Sequence, residues 1–420
     1  MPDHTAVVDL GYGDAGKGTV VDAICGTRPV RAVLRFNGGA QAAHNVVADD
    51  GRHHTFSQFG SGTLHGVPTH LTRFMVVDPL ALSAEAAALG HPFELLTIDG
   101  DALLATPWHR AANRRKERAN RHGSCGMGVG ETMAYALKNA DAPRVADVLS
   151  PARLRRRLEK VQETYGFIDA PVDDVVDAFV AFGRAVRITH ESFTMKLLAE
   201  GPCVFEGAQG VLLDEWRGWH PHTTWSTTTF DNVAELCPSF RRLGVVRSYT
   251  TRHGAGPFVT EDPALDLPEA HNGHDEWQGA FRTGHLDAVA HRYAVEVAGG
   301  VDELAVTHLD VAARRELRIC TSYRVDGEIV GRIVPGPHRD LSYQERTTAW
   351  LGRATPADLH RPEDWAGEIG ALLGAPVTLE SYGPRTSDKR FVVPRRGFLS
   401  PRSSAGRADT SPGVLLRVTA

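Results

Sequence analysis

The chain has 420 residues, of which 42% are hydrophobic and 23% charged, with a formal net charge of −5. That is long enough for a large core, and the slight acidity gives no electrostatic case for a nucleic-acid or membrane partner. No basic region precedes an apolar run in MPDHTAVVDLG, and five scattered cysteines form no CxxC pair, so a cytoplasmic protein with reduced thiols is expected.

In chain order, AVVDLG (6–11) reads as a strand and Thr19–Ile24 as a helix. Between them, GYGDAGKG places Gly11, Gly16 and Lys17 in the frame of a phosphate-binding loop. Backbone N–H groups, the helix dipole and the Lys17 charge all favour phosphate there. Two residues are unusual. Gly18 stands where a nucleotide triphosphatase places Ser or Thr, and Asp14 lies inside the loop. Two versions remain open at this point. In one, Thr19 supplies the hydroxyl for magnesium and Asp78 a second acid. In the other, Asp14 itself binds Mg²⁺ or takes a proton.

Further strands are expected at 31–39, 73–79, 203–207, 244–251, 303–310 and 376–383, and helices at 150–166, 173–188 and 287–298. This alternation predicts an α/β fold with a large, mostly parallel sheet flanked by helices and ligands at the strand carboxyl ends. One domain spans 1–394, and the Pro-, Ser- and Arg-rich tail 395–420 is set apart as poorly ordered. The charge run 114–122 reads as a solvated helix end or loop. Several strand ends carry polar, Gly-rich segments. RFNGGAQAAHNVV (35–47) presents His44, and FEGAQGVLLDE (205–215) presents Gln209, which either holds a carbonyl oxygen or caps backbone. AVTHLDV (305–311) presents Asp310, which either reads a guanine edge or caps a helix.

Taken together and in order, GDAGKG (13–18), RFNGGAQAAHN (35–45), GSCGMGVGE (123–131), FEGAQG (205–210), HPHTTWS (220–226), YTTRHGAGPF (249–258), FRTGHLD (281–287), THLD (307–310) and GPR (383–385) resemble the adenylosuccinate synthetase family. The resemblance covers about residues 5–392 and implies that family's GTP-binding fold, a homodimer and a GTP-dependent ligase using Mg²⁺. In the family, GTP phosphorylates the 6-oxygen of IMP and aspartate displaces the phosphate. It implies phosphate binding by Gly13, Gly16, Lys17, Gly18 and Thr19. Asp14 becomes the N1 base and a magnesium ligand, with the carbonyl of Ala43 as a second. His44 and Lys17 become the groups that offset charge in transfer, and Gln209 sits near the 6-oxygen. Gln41, Cys125, Thr224, Arg252 and Arg282 fall at substrate contacts. His308, Asp310, Ser381 and Gly383 fall around the donor base, where GTP over ATP rests on Asp310.

Departures from the family pattern cluster on the acceptor side. The phosphate loop is two residues shorter and its second acid is Ala15. Gln41 replaces an asparagine and Ala43 a glycine. Cys125 replaces a phosphate-contacting threonine, and His308 replaces a lysine. The arginine that the family donates across its dimer falls near Lys138-Asn139. Of three arginines in the aspartate-binding loop only Arg282 remains, the others falling on Gly279 and Phe281, with His271, His274 and His285 as nearby substitutes. The expected activity is a C–N ligase acting on small molecules. The open alternatives are a diverged ligase for another amine or carbonyl and a non-catalytic nucleotide binder.

Overall fold

The computed structural model describes residues 3–119, 123–265, 267 and 277–393; the tail, His271 and His274 lie outside the described residues. Ten strands form the central sheet. In chain order they are β1 (Thr5–Asp9), β2 (Ala32–Arg35), β3 (Thr69–Leu71), β4 (Leu96–Asp99), β5 (Arg187–Thr189), β6 (Cys203–Glu206), β7 (Arg241–Arg247), β8 (Glu303–Thr307), β9 (Val377–Ser381) and β10 (Lys389–Phe391). Their spatial order is β10-β9-β8-β7-β1-β6-β2-β3-β4-β5. The pairs are parallel except β9 with the edge strand β10. The expected mostly parallel α/β sheet is therefore present.

Both faces of the sheet are buried, as parallel strands require. Ala6 and Val8 of β1 pack on one face with Leu34, Phe205, Val246 and Val306. Val7 points to the other face, against Val20, Val21 and Ile24 of helix α1 (Lys17–Thr27). The strand period of two thus feeds two cores from one apolar run. A third core lies around Trp108, Leu154, Leu158 and Phe179, where helices pack beyond β3 and β4.

Two sequence assignments change. The 73–79 run is not a central strand. Only Val76–Val77 is extended, paired with Leu103–Leu104, while THL (69–71) takes the central place. Asp78 caps helix α2 (Pro79–Ala88), accepting from the N–H groups of Leu80 and Ala81. The run was misread because Pro79 begins a helix here as well as ending a strand. The helix expected over 173–188 ends at Ala185, and β5 follows it.

Candidate active site

The carboxyl end of β1 builds the phosphate loop around one buried carboxylate. Asp9 Oδ1 accepts from Gly11 N at 2.8 Å, and Oδ2 from Ala15 N at 2.8 Å and Lys17 Nζ at 3.3 Å. Lys17 also donates to the Gln209 carbonyl at 2.6 Å. Neighbouring strand ends clamp the loop from outside. Thr307 Oγ1 donates to the Ala15 carbonyl at 2.7 Å and Arg247 Nη1 to the Asp14 carbonyl at 3.2 Å. Gly16 is the N-cap of α1 at φ +90°, a conformation that suits glycine and turns the first helical N–H groups toward the cavity.

That cavity has a volume of about 1130 Å³ and is lined by Gly13, Asp14, Gly16, Lys17, Gly18 and Thr19. It also takes in Gln41, Ala43, His44, Cys125, Gln209, Thr224, Arg252, His308, Asp310 and Gly383. Most of the residues singled out from the sequence are therefore brought together; Ser381 and Arg282 are not. Asp14 is at φ +60°, and its carboxylate lies 3.5 Å from His253 Nε2. Burial raises its pKa above the usual carboxylate range, opposed by His253, Lys17 and Arg247.

His44 is held from behind. Its Nδ1 lies 2.6 Å from Glu206 Oε1 at the end of β6, and Glu206 also accepts from Ser61 N and Oγ. Burial lowers the His44 imidazole against the opposing Glu206 carboxylate, and on Glu206 the upward push of burial is outweighed by His44, Arg35 and Ser61, which hold the carboxyl below its usual range. The Glu206 carboxylate fixes the ring by Nδ1, which leaves Nε2 on the far side of the imidazole.

The same residue explains Gly18. A Cβ at position 18 would lie 2.7 Å from His44 Cβ and 3.1 Å from Ser61 Oγ. The hydroxyl of a triphosphatase loop has no room there. Thr19 does not replace it, because its Oγ1 donates to the Pro384 carbonyl at 3.2 Å. Asp78 does not serve as the second acid either. It is paired with Arg110 and faces a separate cavity. Of the acids in the two versions of the loop, Asp14 lines the main cavity and Asp78 does not.

Opposite the loop, Gln209 at φ +62° donates through Nε2 to Thr224 Oγ1 at 2.6 Å, while its Oε1 is buried without a protein partner. Both ends of the Gln41 amide are likewise buried and unpartnered. Buried amides are normally satisfied, so these atoms point to a ligand with matching groups.

At the other end, His308 adopts φ +57° at the start of the helix Leu309–Arg314, which carries Asp310 into the lining. Burial, Arg247 and Lys389 hold His308 well below its ordinary pKa, so it enters as a neutral ring. Ser381 is buried and donates to the Gly383 carbonyl at 3.2 Å; it shapes the loop and does not line the cavity.

The acceptor-side arginines do not converge on the cavity as free cations. Arg252 is buried and donates to the carbonyls of Ala255, Pro257 and His222. Arg282 pairs with Glu261 at 2.8 Å, donates to the Gly256 carbonyl at 2.9 Å and lines a different, smaller cavity. His285 faces Asp262 at 3.5 Å, outside the main cavity. Phe281 packs on the His253 ring, centroids 4.8 Å apart. Sequence reading missed Asp9, Glu206 and His253. The first two were visible as acids ending strands in VVDLG and FEG; His253 had no signal beyond lying in a Gly-rich loop.

Among the described residues, no three His, Cys, Asp or Glu side chains gather as metal donors, and no described helix is long and apolar enough to cross a membrane.

Comparison with known proteins places this geometry. The adenylosuccinate synthetase family model matches residues 6–389. Adenylosuccinate synthetase from Synechococcus sp. (strain WH7803) is 31% identical over 94% of this chain and 99% of its own. That from Frankia alni is 32% identical over 91% and 97%. The fold matches the fully ligated adenylosuccinate synthetase of Plasmodium falciparum with a TM-score of 0.80 at 20% identity, over 93% of this chain and 100% of that one. It also matches cyanophage S-2L succinoaminodeoxyadenylate synthetase, bound to dGMP and to dATP as energy donor, with a TM-score of 0.64 at 17% identity, over 93% and 95%. With a family match over nearly its whole length and a cavity built from that family's motifs, the chain belongs to the adenylosuccinate synthetases, GTP-dependent ligases that form a C–N bond.

Proposed function

We propose that this protein phosphorylates the 6-oxygen of a purine with GTP and that an amine then displaces the phosphate. The observation that carries the reading is the meeting of Asp14, Lys17, the His44–Glu206 pair and Gln209 at adjacent strand ends in one cavity. Asp14, with its raised pKa, takes the N1 proton, which makes the 6-oxygen nucleophilic. That oxygen bonds the γ-phosphorus as the bond to the GDP oxygen breaks. Lys17 and the N-terminus of α1 offset the transferring charge, and His44, fixed by Glu206, faces it. The amine nitrogen then bonds C6, the C–O bond breaks, inorganic phosphate leaves, and the amine loses a proton.

The donor set fits Mg²⁺. Asp14, a part-exposed carboxylate, and Ala43, whose carbonyl the family resemblance makes a second donor, both line the cavity, and Mg²⁺ binds through one or two carboxylates plus phosphate oxygens. When bound, the ion would add charge neutralisation at the phosphates. Asp310 supports guanine over adenine in the donor. We also take a cytoplasmic homodimer as the working assembly, on family grounds.

A second reading concerns the amine. Arg282 is neutralised by Glu261 outside the cavity, which favours an amine other than aspartate. The test is phosphate release with GTP and a purine, with each of the twenty amino acids, following product by mass. No phosphate release under any combination would sink the ligase reading. Release retained in Asp14→Asn and His44→Ala variants would remove these residues from the mechanism.

A further inference from the structure

Helix α3 (Pro107–Ala119) serves two cavities. Asn113, Lys116 and Glu117 line the main one. Arg110, Arg114, Arg115 and Arg118 line a separate cavity of about 390 Å³. Positions 110, 114 and 118 follow one another at successive turns, so these three arginines form a row about 12 Å long.

The two faces of α3 differ in how charge is met. On the main-cavity side Lys116 is held by both oxygens of Glu131, at 2.7 and 2.8 Å. In the separate cavity Asp78, paired with Arg110, is the one carboxylate in the described lining. The other three arginines are anchored by uncharged groups. Arg114 Nε donates to the Gly126 carbonyl at 3.2 Å, and Arg115 Nη2 donates to the Tyr165 carbonyl. Arg114 and Arg118 lie over the Trp277 ring, 5.3 and 5.2 Å from its centroid. Carbonyls and rings orient a guanidinium and leave its charge in place. Among the described residues, three positive charges therefore meet at one hollow without a counter-charge. Like charges on a free helix face spread apart; here two carbonyls and an indole hold them together. Each guanidinium has five N–H donors, and these contacts use few of them.

The rest of the lining is apolar: Leu80, 41% exposed, with Pro107 and Ala111. No nucleophile and no unpaired acid stands among these residues, so the cavity is suited to binding and not to chemistry. Oriented guanidinium groups match phosphate oxygens in pairs. Three of them exceed what a single phosphate neutralises.

We propose that this cavity is an anion site separate from the phosphate loop, and that it takes a small molecule bearing a diphosphate group, held by Arg114, Arg115 and Arg118. The proposal is independent of which purine and amine the main cavity uses.

The test is calorimetry of pyrophosphate against the full-length protein, without Mg²⁺ and at low ionic strength. The double variant Arg115→Gln/Arg118→Gln is compared with Arg332→Gln/Arg353→Gln, which removes the same charge from exposed positions elsewhere. The expected result is a class of pyrophosphate site that weakens at least tenfold in the first variant and less than threefold in the second. Inorganic phosphate should bind that class at least tenfold more weakly than pyrophosphate. Unchanged binding in the first variant, or equal weakening in both, overturns the proposal, because the anion then sits in the phosphate loop or responds to net charge alone. Equal affinity for phosphate and pyrophosphate rejects the diphosphate. Tighter binding of a single-stranded RNA oligonucleotide through the same two arginines assigns the face to nucleic acid and also rejects it.

Discussion

His44 and Glu206 form a buried pair, Nδ1 to Oε1 at 2.6 Å, that joins the loop after β2 to the end of β6. The pair fixes which ring nitrogen faces the cavity. Glu206→Gln keeps the shape and removes the charge that orients the ring. The expected result is a fall in kcat of about 100-fold, in the range of a lost electrostatic contribution, with GTP affinity by equilibrium titration within threefold of the parent. Unchanged kcat would show that the orientation of His44 is not used.

Gly18 is required by packing against His44. Gly18→Ala places a methyl group 2.7 Å from His44 Cβ, inside any real contact distance. We expect a stability loss of about 1–3 kcal/mol from overpacking and at least a tenfold drop in phosphate release. Urea unfolding and steady-state kinetics measure both. A variant with parental activity would mean that His44 need not hold its position.

Asp9 organises the loop from behind the cavity lining. Asp9→Asn loses the charge that pairs with Lys17 and keeps only part of the acceptor set for Gly11 and Ala15. Breaking one side of a buried pair costs about 3–5 kcal/mol. Denaturant unfolding should show that loss in the ligand-free protein. A change below about 1 kcal/mol would mean that Lys17 finds another anion.

Two buried histidines outside the cavity set an acid limit. Burial lowers His70 to about 4 and His109 to about 3. The unfolded chain binds more protons than the native one between these values and about 6.5, so stability rises with pH across that window and is full above it. From pH 7 to 4.5 each contributes a loss of about 2 kcal/mol. Urea midpoints measured from pH 4.5 to 7.5 should climb, and the slope should lessen in His109→Phe. Flat midpoints would contradict neutral burial.

The acceptor loop can be tested by restoration. Phe281→Arg returns a guanidinium to a family arginine position. If the change at this residue redirected the amine, kcat/KM with aspartate rises at least tenfold in the variant. A fall with every amine would instead assign Phe281 to bracing His253, whose ring it touches.

Local sequence fixed much of this protein. The apolar run of β1 followed by GDAGKG specifies strand, loop and helix from side-chain period and backbone freedom alone, and the strand-end acids were in view. The ordered motifs pointed to Asp14, Lys17, His44, Gln209 and Asp310 from the sequence, because each lies 3 to 9 residues past the end of a sheet strand. Three matters needed the tertiary structure. Gly18 is explained by His44, 26 positions away in the chain, and by Ser61. Asp78 carries the look of a strand-end acid, yet its place is decided by Arg110 and the cap of α2. Arg282 is held outside the main cavity in an ion pair with Glu261, 21 positions away. In each case the deciding contact is between segments distant in sequence, where sheet order and side-chain packing, rather than local propensity, determine which groups meet.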